Sequence, residues 1–443
     1  MPEARYKQIV DRLATDIRDG RLRPGTRLPT HRELAAREGL ALVTATRVYA
    51  ELRTMGLVSG EIGRGTFVKE PLPRGEGVDL HAWSSLTIDL SFNSPSAPGQ
   101  TDLFRSALRQ LSAAGDLESL LRYQPHGGRE HERETAARHL ASRGLAATAA
   151  TTLLVSGAQH GLTTSAMALL EPGDVVAVDA LTYPGFKLAA EANRLELAPI
   201  PVAGRGPDLD ALTALCKRRR VRAVYAMPTL HNPLGWVMSA SRRRELVSIA
   251  RQHGLVLIED AAYAYLAEDA PPPLASIAPE TTVYVSSLSK SVATGLRVGF
   301  VCAPREWIPK FERAIRATTW NTPATMTAIA CNWINDGTVV RLENEKRRDA
   351  TMRQSLAAEA LGKLRTITHP AAYFIWIPLA QEVRADAVAM ALMRERISVS
   401  TALPFATSTQ VPHAIRLAIG SVDLPTLRQS LKAVARVIAE HTY

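Results

Sequence analysis

The sequence T-V-Y-V-S-S-L-S-K-S-V-A-T-G-L-R-V-G, residues 282–299, carries the strongest signal for both fold and site in this chain. Its first half is a β-branched apolar run that ends in small hydroxyl residues, which predicts a buried strand leading into a loop. One lysine, Lys290, follows at that point, and Arg297 comes shortly after it. A lysine amine held in a dry pocket loses its proton readily and can then form a Schiff base with a carbonyl.

Hydroxyl groups next to Lys290 add a second feature. Ser287 and Ser289, together with the guanidinium of Arg297, are groups that bind a phosphate. A Schiff-base amine beside a phosphate site predicts pyridoxal 5'-phosphate (PLP) in aldimine linkage to Lys290. The alternative is a solvated lysine in a loop, which is the usual situation for this residue type.

From about residue 88 onward, apolar runs alternate with helical segments. The runs are apolar on both faces, which predicts an α/β fold with a mostly parallel sheet covered by helices on both sides. In such sheets, ligands bind at the carboxyl ends of the strands. The strand candidates are residues 174–179, 222–228, 254–260, 282–287 and 299–304.

Several motifs fall at these predicted strand ends. The sequence S-G-A-Q-H-G, residues 156–161, opens a helix whose first N–H groups, at Ala158 and Gln159, can face a phosphate. Small residues also open many helices that bind nothing. Tyr183 lies in a T-Y-P-G turn, where its ring can stack on a pyridine or pack at the surface. Asn232, in H-N-P-L-G, can donate to a phenolate oxygen or simply belong to a turn.

Three further polar residues complete the candidate site. Asp260 ends the run G-L-V-L-I-E-D and can pair with a pyridine nitrogen, although a carboxylate there can also be a helix N-cap. Tyr263 is close enough in sequence to reach the same ring oxygen as Asn232. Arg416 lies inside the apolar run H-A-I-R-L-A-I-G and suits a carboxylate clamp, the alternative being a snorkelling surface arginine.

The N-terminal residues, 1–69, form a predicted unit of their own. Helical spacing of apolar residues and a glycine-tipped pair of short strands predict a winged helix, whose third helix enters the DNA major groove. We predict Thr30 as the N-cap of the second helix, which Gly39 ends, and we expect Val48 and Leu52 of the third helix to point inward. A helical module that binds protein is the alternative.

Composition limits the function classes. The chain has 443 residues and a net charge of +10, which permits nucleic acid or anionic ligands as partners without choosing between them. The cysteines Cys216, Cys302 and Cys331 have neither metal-ligand nor disulfide-framework spacing, so we expect no metal and a reducing cytoplasm. The N-terminus lacks an apolar signal core, and no uncharged run approaches a membrane span, so we expect no membrane partner.

Three short sequences in the N-terminal unit carry a family resemblance: L-P-T-H-R-E-L-A, T-A-T-R and G-R-G-T-F-V. Over nearly all of residues 5–68 the chain closely resembles the DNA-binding domain of GntR-type bacterial regulators. It departs at residues 40–42, where L-A-L replaces a usual V-S-R and removes a hydroxyl and an arginine from the start of the recognition helix. The contacts to double-stranded DNA that this resemblance implies are Arg32, Thr44, Arg47 and Arg64.

The later motifs occur in the order S-G-A-Q, Y-P-G, N-P-x-G, D-x-x-Y, S-x-S-K, R-x-G and R-L. This order resembles the fold-type I aminotransferases, and a winged helix placed before such a domain resembles the MocR subfamily of GntR regulators. The resemblance implies that Lys290 is the aldimine lysine, Asp260 the pyridinium partner and Arg416 the clamp for a substrate carboxylate. The remaining cofactor contacts that it implies are Ala158, Gln159, Tyr183, Asn232, Tyr263, Ser287, Ser289 and Arg297.

The same resemblance implies a head-to-tail, domain-swapped homodimer. Tyr123, in Y-Q-P-H-G-G, matches a tyrosine that reaches across to the phosphate of the partner subunit. Residues 371–373 are A-A-Y where glycines are common, and we expect them to narrow the substrate side of the pocket. The expected domains are a winged helix at 1–69, a linker at 70–88, and an aminotransferase-like domain at 89–443 with a smaller α+β subdomain at about 335–443.

Three hypotheses for the function follow. The first is a PLP-dependent transcriptional regulator that senses an amine, an amino acid or a B6 vitamer such as PLP itself through Lys290, with the ligand changing how the winged helices are held. The second is a catalytically active aminotransferase with an appended DNA-binding domain. The third is a binding module without PLP.

Overall fold

The computed structural model describes most of the chain. Of the residues singled out above, Arg64 and residues 70–86 of the expected linker lie outside the described part. The described residues are 2–18, 21–23, 25–55, 57–61, 65–68, 87–95, 99–113 and 117–442.

The N-terminal unit, called the head from here on, consists of the described residues between 2 and 68 and folds around its own apolar core. Thr30 and Glu33 cap the second helix reciprocally, and Gly39 ends it in the left-handed conformation, so both predictions are confirmed. Val48 and Leu52 are buried, as predicted. The elements are α1 (Pro2–Arg18), α2 (His31–Glu38), α3 (Leu42–Thr54) and the antiparallel pair β1 (Val58–Glu61) and β2 (Gly65–Val68).

The largest sheet has seven strands in the order β4-β10-β9-β8-β7-β5-β6. Only β10 runs antiparallel to its neighbours, so the prediction of a mostly parallel sheet is confirmed. All five predicted strands are present. The strands are β4 (Thr152–Val155), β5 (Val175–Asp179), β6 (Glu196–Ile200), β7 (Val221–Ala226), β8 (Val256–Asp260), β9 (Thr282–Ser287) and β10 (Gly299–Cys302).

Helices cover both faces of this sheet, because successive residues of its strands point to opposite sides. In β5, Val176 and Val178 belong to the core formed with α7, α8 and α13, whereas Val175 and Ala177 belong to the core formed with α9 and α10. The helices of this part are α4 (Gln100–Ala113), α5 (Leu117–Leu120), α6 (Glu130–Ala141), α7 (Ala158–Leu169), α8 (Pro184–Ala192), α9 (Leu209–Arg218), α10 (Ala240–His253), α11 (Leu274–Ile277), α12 (Leu288–Ser291), α13 (Ile308–Thr318), α14 (Ala324–Asn335) and the long α15 (Thr338–Leu361).

The C-terminal residues form a smaller subdomain with its own apolar core. Its short two-stranded sheet joins residues far apart in sequence, since β3 (Ile88–Asp89) pairs in parallel with β12 (Ile397–Ser398). Residues 87–95 are thereby held against the C-terminal subdomain, which the sequence did not predict. The remaining elements are β11 (Phe374–Pro378), β13 (Ser400–Thr401) and β14 (Ala414–Ala418) in one antiparallel sheet, with α16 (Ala385–Arg394) and α17 (Leu424–Glu440).

The part of the chain that the structure describes contains neither a candidate membrane-spanning helix nor a candidate metal site. Among the helices that the structure describes, none is both long and apolar enough to cross a membrane. Within the same described ranges, no cluster of His, Cys, Asp and Glu side chains is arranged to hold a metal ion.

Candidate functional site

One cavity gathers the predicted residues at the carboxyl edge of the parallel strands. It has a volume of about 170 Å³ and lies where β8 and β9 end and the loop after β7 begins. Residues 91–93 and the C-terminal subdomain close its other side. The predicted residues that line it are Ala158, Gln159, Tyr183, Asn232, Asp260, Tyr263, Ser287, Ser289, Lys290, Arg297 and Arg416.

Lys290 lies in the single turn α12, directly after β9. Its Nζ donates a hydrogen bond to the carbonyl of Asn93 and lies 4.6 Å from the ring centroid of Phe92. Burial lowers the pKa of this amine to about 7, and the nearby charges of Arg416 and Arg297 act in the same direction. A substantial fraction of the amine is therefore unprotonated at neutral pH and able to act as a nucleophile. The alternative of a solvated loop lysine is wrong.

Asp260, the last residue of β8, is buried at the floor of the cavity. Its Oδ2 accepts a hydrogen bond from the hydroxyl of Tyr225 at 2.8 Å, and its Oδ1 accepts one from the backbone N–H of Ala262 at 3.0 Å. Burial raises the pKa of the carboxyl group, while these two hydrogen bonds oppose the rise. A carboxylate held in this way is a suitable partner for a cationic ring nitrogen.

The opposite end of the cavity is built to hold an anion. Helix α7 begins after Gly157 without a side-chain cap, so its N-terminus is available to a ligand. Arg297 lies beside it and donates to the hydroxyl of Ser289 at 3.3 Å and to the carbonyl of Ser156 at 3.0 Å. A Cβ on Gly157 would lie 2.8 Å from Cζ of Arg297, so only glycine lets the guanidinium approach this closely.

Unsatisfied polar atoms show that the cavity fits a polar ligand. Buried side-chain atoms normally have hydrogen-bond partners, and those that lack one point to a missing group. Within the described ranges, Oδ1 of Asn232, Oε1 of Gln159 and Nε of Arg416 are buried atoms of this cavity without a partner. The uncapped N-terminus of α7 suits a phosphate, and the carboxylate of Asp260 suits a protonated ring nitrogen, so these two groups fit a phosphorylated pyridine.

Arg416 is only 4% exposed, so the alternative of a snorkelling surface arginine is wrong. It lies on β14 opposite Trp376, and its Nη1 donates to the carbonyl of Ser91 at 2.9 Å. The rings of Phe374 and Phe405 flank its guanidinium at 5.3 and 5.8 Å. A fixed guanidinium in an apolar frame is well suited to bind a carboxylate.

Two tyrosines complete the wall. A Cβ on Gly185 would lie 2.4 Å from the ring of Tyr183, so the Y-P-G turn brings this ring close to the backbone beside the cavity. Tyr263 is buried, and its hydroxyl accepts a hydrogen bond from the amide of Asn93 at 3.5 Å. Burial raises the pKa of both phenols, so both are neutral hydrogen-bonding groups at neutral pH.

Some predicted site residues lie elsewhere. Tyr123 does not line the cavity; it is 85% exposed and packs its ring 5.2 Å from that of Trp320. The head carries Arg32 on α2 and Thr44 and Arg47 on α3, far along the chain from the cavity, and the Arg47 guanidinium lies 4.6 Å over the ring of Tyr6.

The expectation for residues 371–373 is wrong. They do not line the cavity, because Ala372 and Tyr373 are turned into the core. The hydroxyl oxygen of Tyr373 lies 2.9 Å from the carbonyl oxygen of Lys346 and 2.9 Å from the Asp349 carboxylate, and its one hydrogen is shared between these two acceptors. Their extra volume is therefore taken up inside the protein and not at the substrate side.

Sequence reasoning also missed residues that support the site. Asn93 and Phe92 contact Lys290, Tyr225 holds Asp260, and Lys346 donates to the backbone carbonyl of Lys290 at 3.2 Å. None of these residues lies in a local motif. Only for Tyr225 did the sequence give a weak indication of a contact, because it lies in the predicted strand next to the one that ends in Asp260.

Two family models match the chain. Residues 86–434 match aminotransferase class I and II, and residues 5–68 match the gntR family of bacterial regulatory proteins. The chain belongs to the aminotransferase class I and II family. An aminotransferase class I and II domain behind a gntR head is the MocR-type organisation that the sequence resembles, and PLP is the cofactor that follows from this membership.

Relatives share this organisation or its larger part. The HTH-type transcriptional regulator YdeF of Bacillus subtilis is 26% identical over 439 residues, which cover 99% of this chain and 95% of the relative. YjiR of Escherichia coli, also named an HTH-type transcriptional regulator, is 27% identical over 466 residues, covering 98% of both chains. The 2-aminoadipate transaminase of Thermus thermophilus is 27% identical over 296 residues, which cover 65% of the present chain and 75% of the transaminase.

Among solved structures, the α-aminoadipate aminotransferase LysN of Thermus thermophilus matches with a TM-score of 0.73 at 23% identity. The match covers 80% of this chain and 93% of LysN. At this identity the match establishes the fold alone, and the fold is that of the fold-type I aminotransferases.

Proposed function

We propose that this protein is a PLP-dependent, DNA-binding transcriptional regulator that senses a small amine, an amino acid or a B6 vitamer in the Lys290 cavity. The observation that carries the proposal is that one chain combines a gntR head with a cavity where an amine, a carboxylate and an anion-binding helix end meet. The relatives that match over nearly the whole chain are named transcriptional regulators.

Each cavity residue has a role in this proposal. Bound PLP supplies an aldehyde that condenses with amines and a ring that withdraws electrons. Lys290 supplies an amine that is partly unprotonated near neutral pH and can accept or return a proton at Nζ. Asp260 pairs with the ring nitrogen, and Arg297, beside the α7 N-terminus, holds the phosphate.

Other residues orient the ring and the ligand. In this proposal Asn232 and Tyr263 bind the ring oxygen, Tyr183 stacks on the ring, and Arg416 binds the carboxylate of an amino acid. The remaining phosphate contacts proposed are Ala158, Gln159, Ser287 and Ser289.

Sensing requires that the ligand bind two arrangements of the protein unequally. Residues 87–95 are positioned to respond, since the carbonyl of Asn93 accepts from Lys290 and that of Ser91 accepts from Arg416. The same segment pairs through β3 with the C-terminal subdomain. A ligand that changes these two hydrogen bonds therefore acts on the contact between cavity and subdomain.

We propose a homodimer, because Tyr123 is too exposed for a large aromatic residue without a partner. Its ring packs beside that of Trp320, and Leu121, two residues earlier in the chain, is also exposed. In a head-to-tail dimer, Tyr123 reaches the phosphate of the partner subunit.

The head would bind double-stranded DNA through Arg32, Thr44, Arg47 and Arg64, a role that places the protein in the cytoplasm. Arg32 and Arg47 are exposed on the two helices of the helix–turn–helix, as phosphate contacts must be.

A titration of the PLP-loaded protein with amines, amino acids and B6 vitamers tests the proposal. We expect one ligand class to change both the cofactor absorbance and the affinity for a target DNA, and Lys290→Ala to abolish the absorbance change. A protein whose DNA affinity is the same with and without every ligand, and with and without PLP, would contradict sensing.

A working aminotransferase is the second candidate. The buried Arg416 guanidinium and the low pKa of Lys290 are the observations that favour it, since both are needed for turnover of an amino acid. Steady-state transamination above about 1 s⁻¹ with any amino acid, the lower end of common enzyme rates, would support this candidate.

A further inference from the structure

The first turn of α3 carries two apolar side chains that the head does not bury. Leu42 is 48% exposed and Val43 is 81% exposed. The other large apolar residues of this helix, Val48 and Leu52 among them, are fully buried in the head core. Most of the Val43 side chain and about half of the Leu42 side chain therefore lie outside the head core, and this exposure has a cost unless the two residues contact something else.

The same turn offers few hydrogen-bonding side chains. The residue before it, Ala41, provides no side-chain cap, and the hydroxyl of Thr46 is already used to donate to the carbonyl of Leu42 at 3.0 Å. The first side chain in this turn with a hydroxyl is Thr44. A surface of this kind is poorly suited to read bases by hydrogen bonds, in contrast to the arginine contacts common in major grooves.

The position of the turn decides what it contacts. In a helix–turn–helix, the N-terminal residues of the second helix lie against base edges in the major groove. The apolar group that the major groove presents is the C5-methyl of thymine. Arg32 and Arg37 on the preceding helix are exposed, so their charges are available to phosphates of the same duplex.

We propose that Leu42 and Val43 read thymine C5-methyl groups, so that each operator half-site carries thymine where the first turn of α3 meets the bases. This inference rests on the proposed DNA-binding function and adds its base specificity. It also assigns a role to the departure at residues 40–42, where an arginine is replaced by an apolar residue.

The test begins with the full-length, PLP-loaded protein and a random-sequence duplex library, from which bound sites are selected and sequenced. Each thymine of the selected site is then replaced singly by deoxyuridine, which removes only the methyl group. We expect at least one replacement per half-site to weaken binding about fourfold, the value for loss of one buried methyl-sized group. Replacements elsewhere in the site leave the affinity unchanged.

Variants assign the effect to the side chains. Val43→Ala should bind the thymine site more weakly and lose its sensitivity to deoxyuridine at one position, whereas Leu42→Arg should shift the selected base toward guanine. Both positions are exposed, so neither change should disturb folding, and thermal unfolding checks this. Arg47→Ala is the matched control: it should weaken binding to all sequences and keep the deoxyuridine ratio unchanged.

The outcomes separate this inference from the function on which it rests. Sequence-specific binding without any deoxyuridine effect overturns the methyl contact and leaves the DNA-binding function intact. A change in oligomeric state in Val43→Ala, with unchanged DNA affinity, overturns it in favour of a protein contact between heads. Absence of any DNA binding contradicts the proposed function itself.

Discussion

The surroundings of Lys290 lower its pKa, whereas an ordinary lysine amine is protonated at neutral pH. Burial is the main cause of its lowered pKa, and the guanidinium groups of Arg416 and Arg297 and the ammonium of Lys346 add repulsion. The carbonyl of Asn93 accepts its hydrogen bond without supplying a full negative charge. The pKa of the amine is thus close to neutral pH, so both its protonated and unprotonated forms are populated. This suits an amine that forms and breaks a Schiff base.

The first prediction concerns this amine in protein freed of PLP. The unprotonated amine reacts with acylating reagents, so labelling of Lys290 should rise with pH around a midpoint of about 7 instead of 10.5. Labelling increases with pH because only the unprotonated amine reacts, and the lowered pKa means that Lys290 loses its proton at a lower pH than an ordinary lysine. Mass spectrometry of digested protein measures the labelling, with the exposed Lys363 as a control for the amount of reagent. A labelling midpoint for Lys290 near 10.5, the ordinary lysine value, would refute the shift.

The second prediction concerns Asp260. Replacing it by Asn keeps the size of the side chain and removes the negative charge that we propose pairs with the ring nitrogen of PLP. We expect the affinity for PLP to fall about tenfold or more, the scale for hydrogen bonds to a charged group. Glu259→Gln is the matched control, because this neighbouring buried carboxylate faces the other side of the sheet and accepts from Ala275 at 3.0 Å. Equal losses of PLP affinity in the two variants would contradict the assigned role.

At the scale of elements, α15 connects the cavity to the C-terminal subdomain. Lys346 on this helix is 2% exposed and donates to the carbonyls of Pro95 at 2.6 Å and Lys290 at 3.2 Å. Two turns further on, Arg353 donates to the carbonyls of Ile419 and Val422, which follow β14. A single helix therefore fixes the backbone on both sides of the cavity.

The third prediction is that Lys346→Met destabilises the protein by about 2–3 kcal/mol, because two buried carbonyls lose their donor. Burial lowers the pKa of this ammonium to about 8, below the value of a lysine in the unfolded chain. The unfolded wild-type protein therefore binds more protons than the native protein above pH 8, the wild-type protein gains stability as the pH rises, and the difference between the two proteins should grow. Denaturant unfolding at pH 7 and pH 9 measures both effects. Lys363→Met, the same exchange at an exposed position, should cost no more than about 0.5 kcal/mol.

The elements of the site differ in how far local sequence predicts them. The strand ends carrying Asp260 and Lys290 were predictable because a β-branched run followed by a polar residue is a local signal. The contacts of Asn93 and Lys346 were not, since each joins Lys290 across a long stretch of chain and neither residue type marks a contact. The pairing of β3 with β12 escaped prediction for the same reason, because two residues are too short for a periodic pattern.

At the scale of the whole molecule, the head touches the C-terminal subdomain through a small charged cluster. Arg384, only 8% exposed at the start of α16, donates to the carboxylate of Asp11 on α1 at 2.7 Å and lies 3.4 Å from the sulfur of Met55. Lys7 donates to the carbonyl of Glu382 at 3.0 Å. The subdomain that carries Arg416 is thus also the one that contacts the head.

The pKa shifts of two residues in this cluster reflect burial at the contact and the charges around it. Burial raises the pKa of Glu51 on α3, and the positive charge of Arg384 opposes the rise. The pKa of Arg384 is raised in turn, because Asp386 and Asp11 outweigh its burial. Such a contact can transmit a change in the subdomain to α3, the helix that we propose contacts DNA, without any contact between ligand and head.

The fourth prediction is that the head unfolds together with the rest of the chain only while this cluster is intact. In calorimetry, Arg384→Ala should show unfolding of the head as a separate transition, at a lower temperature than that of the rest of the chain. A double-mutant cycle with Asp11→Ala should give a coupling energy of up to about 1 kcal/mol, the range for a partly exposed ion pair. Arg428→Ala breaks the exposed pair with Glu359 in the same subdomain and should leave the head transition where it is.

Ligand-dependent DNA affinity should be lost in Arg384→Ala while PLP absorbance is kept, because the cavity lies elsewhere. Unchanged ligand dependence in that variant, or a coupling energy of zero, would show that the signal takes another route, such as through the partner subunit.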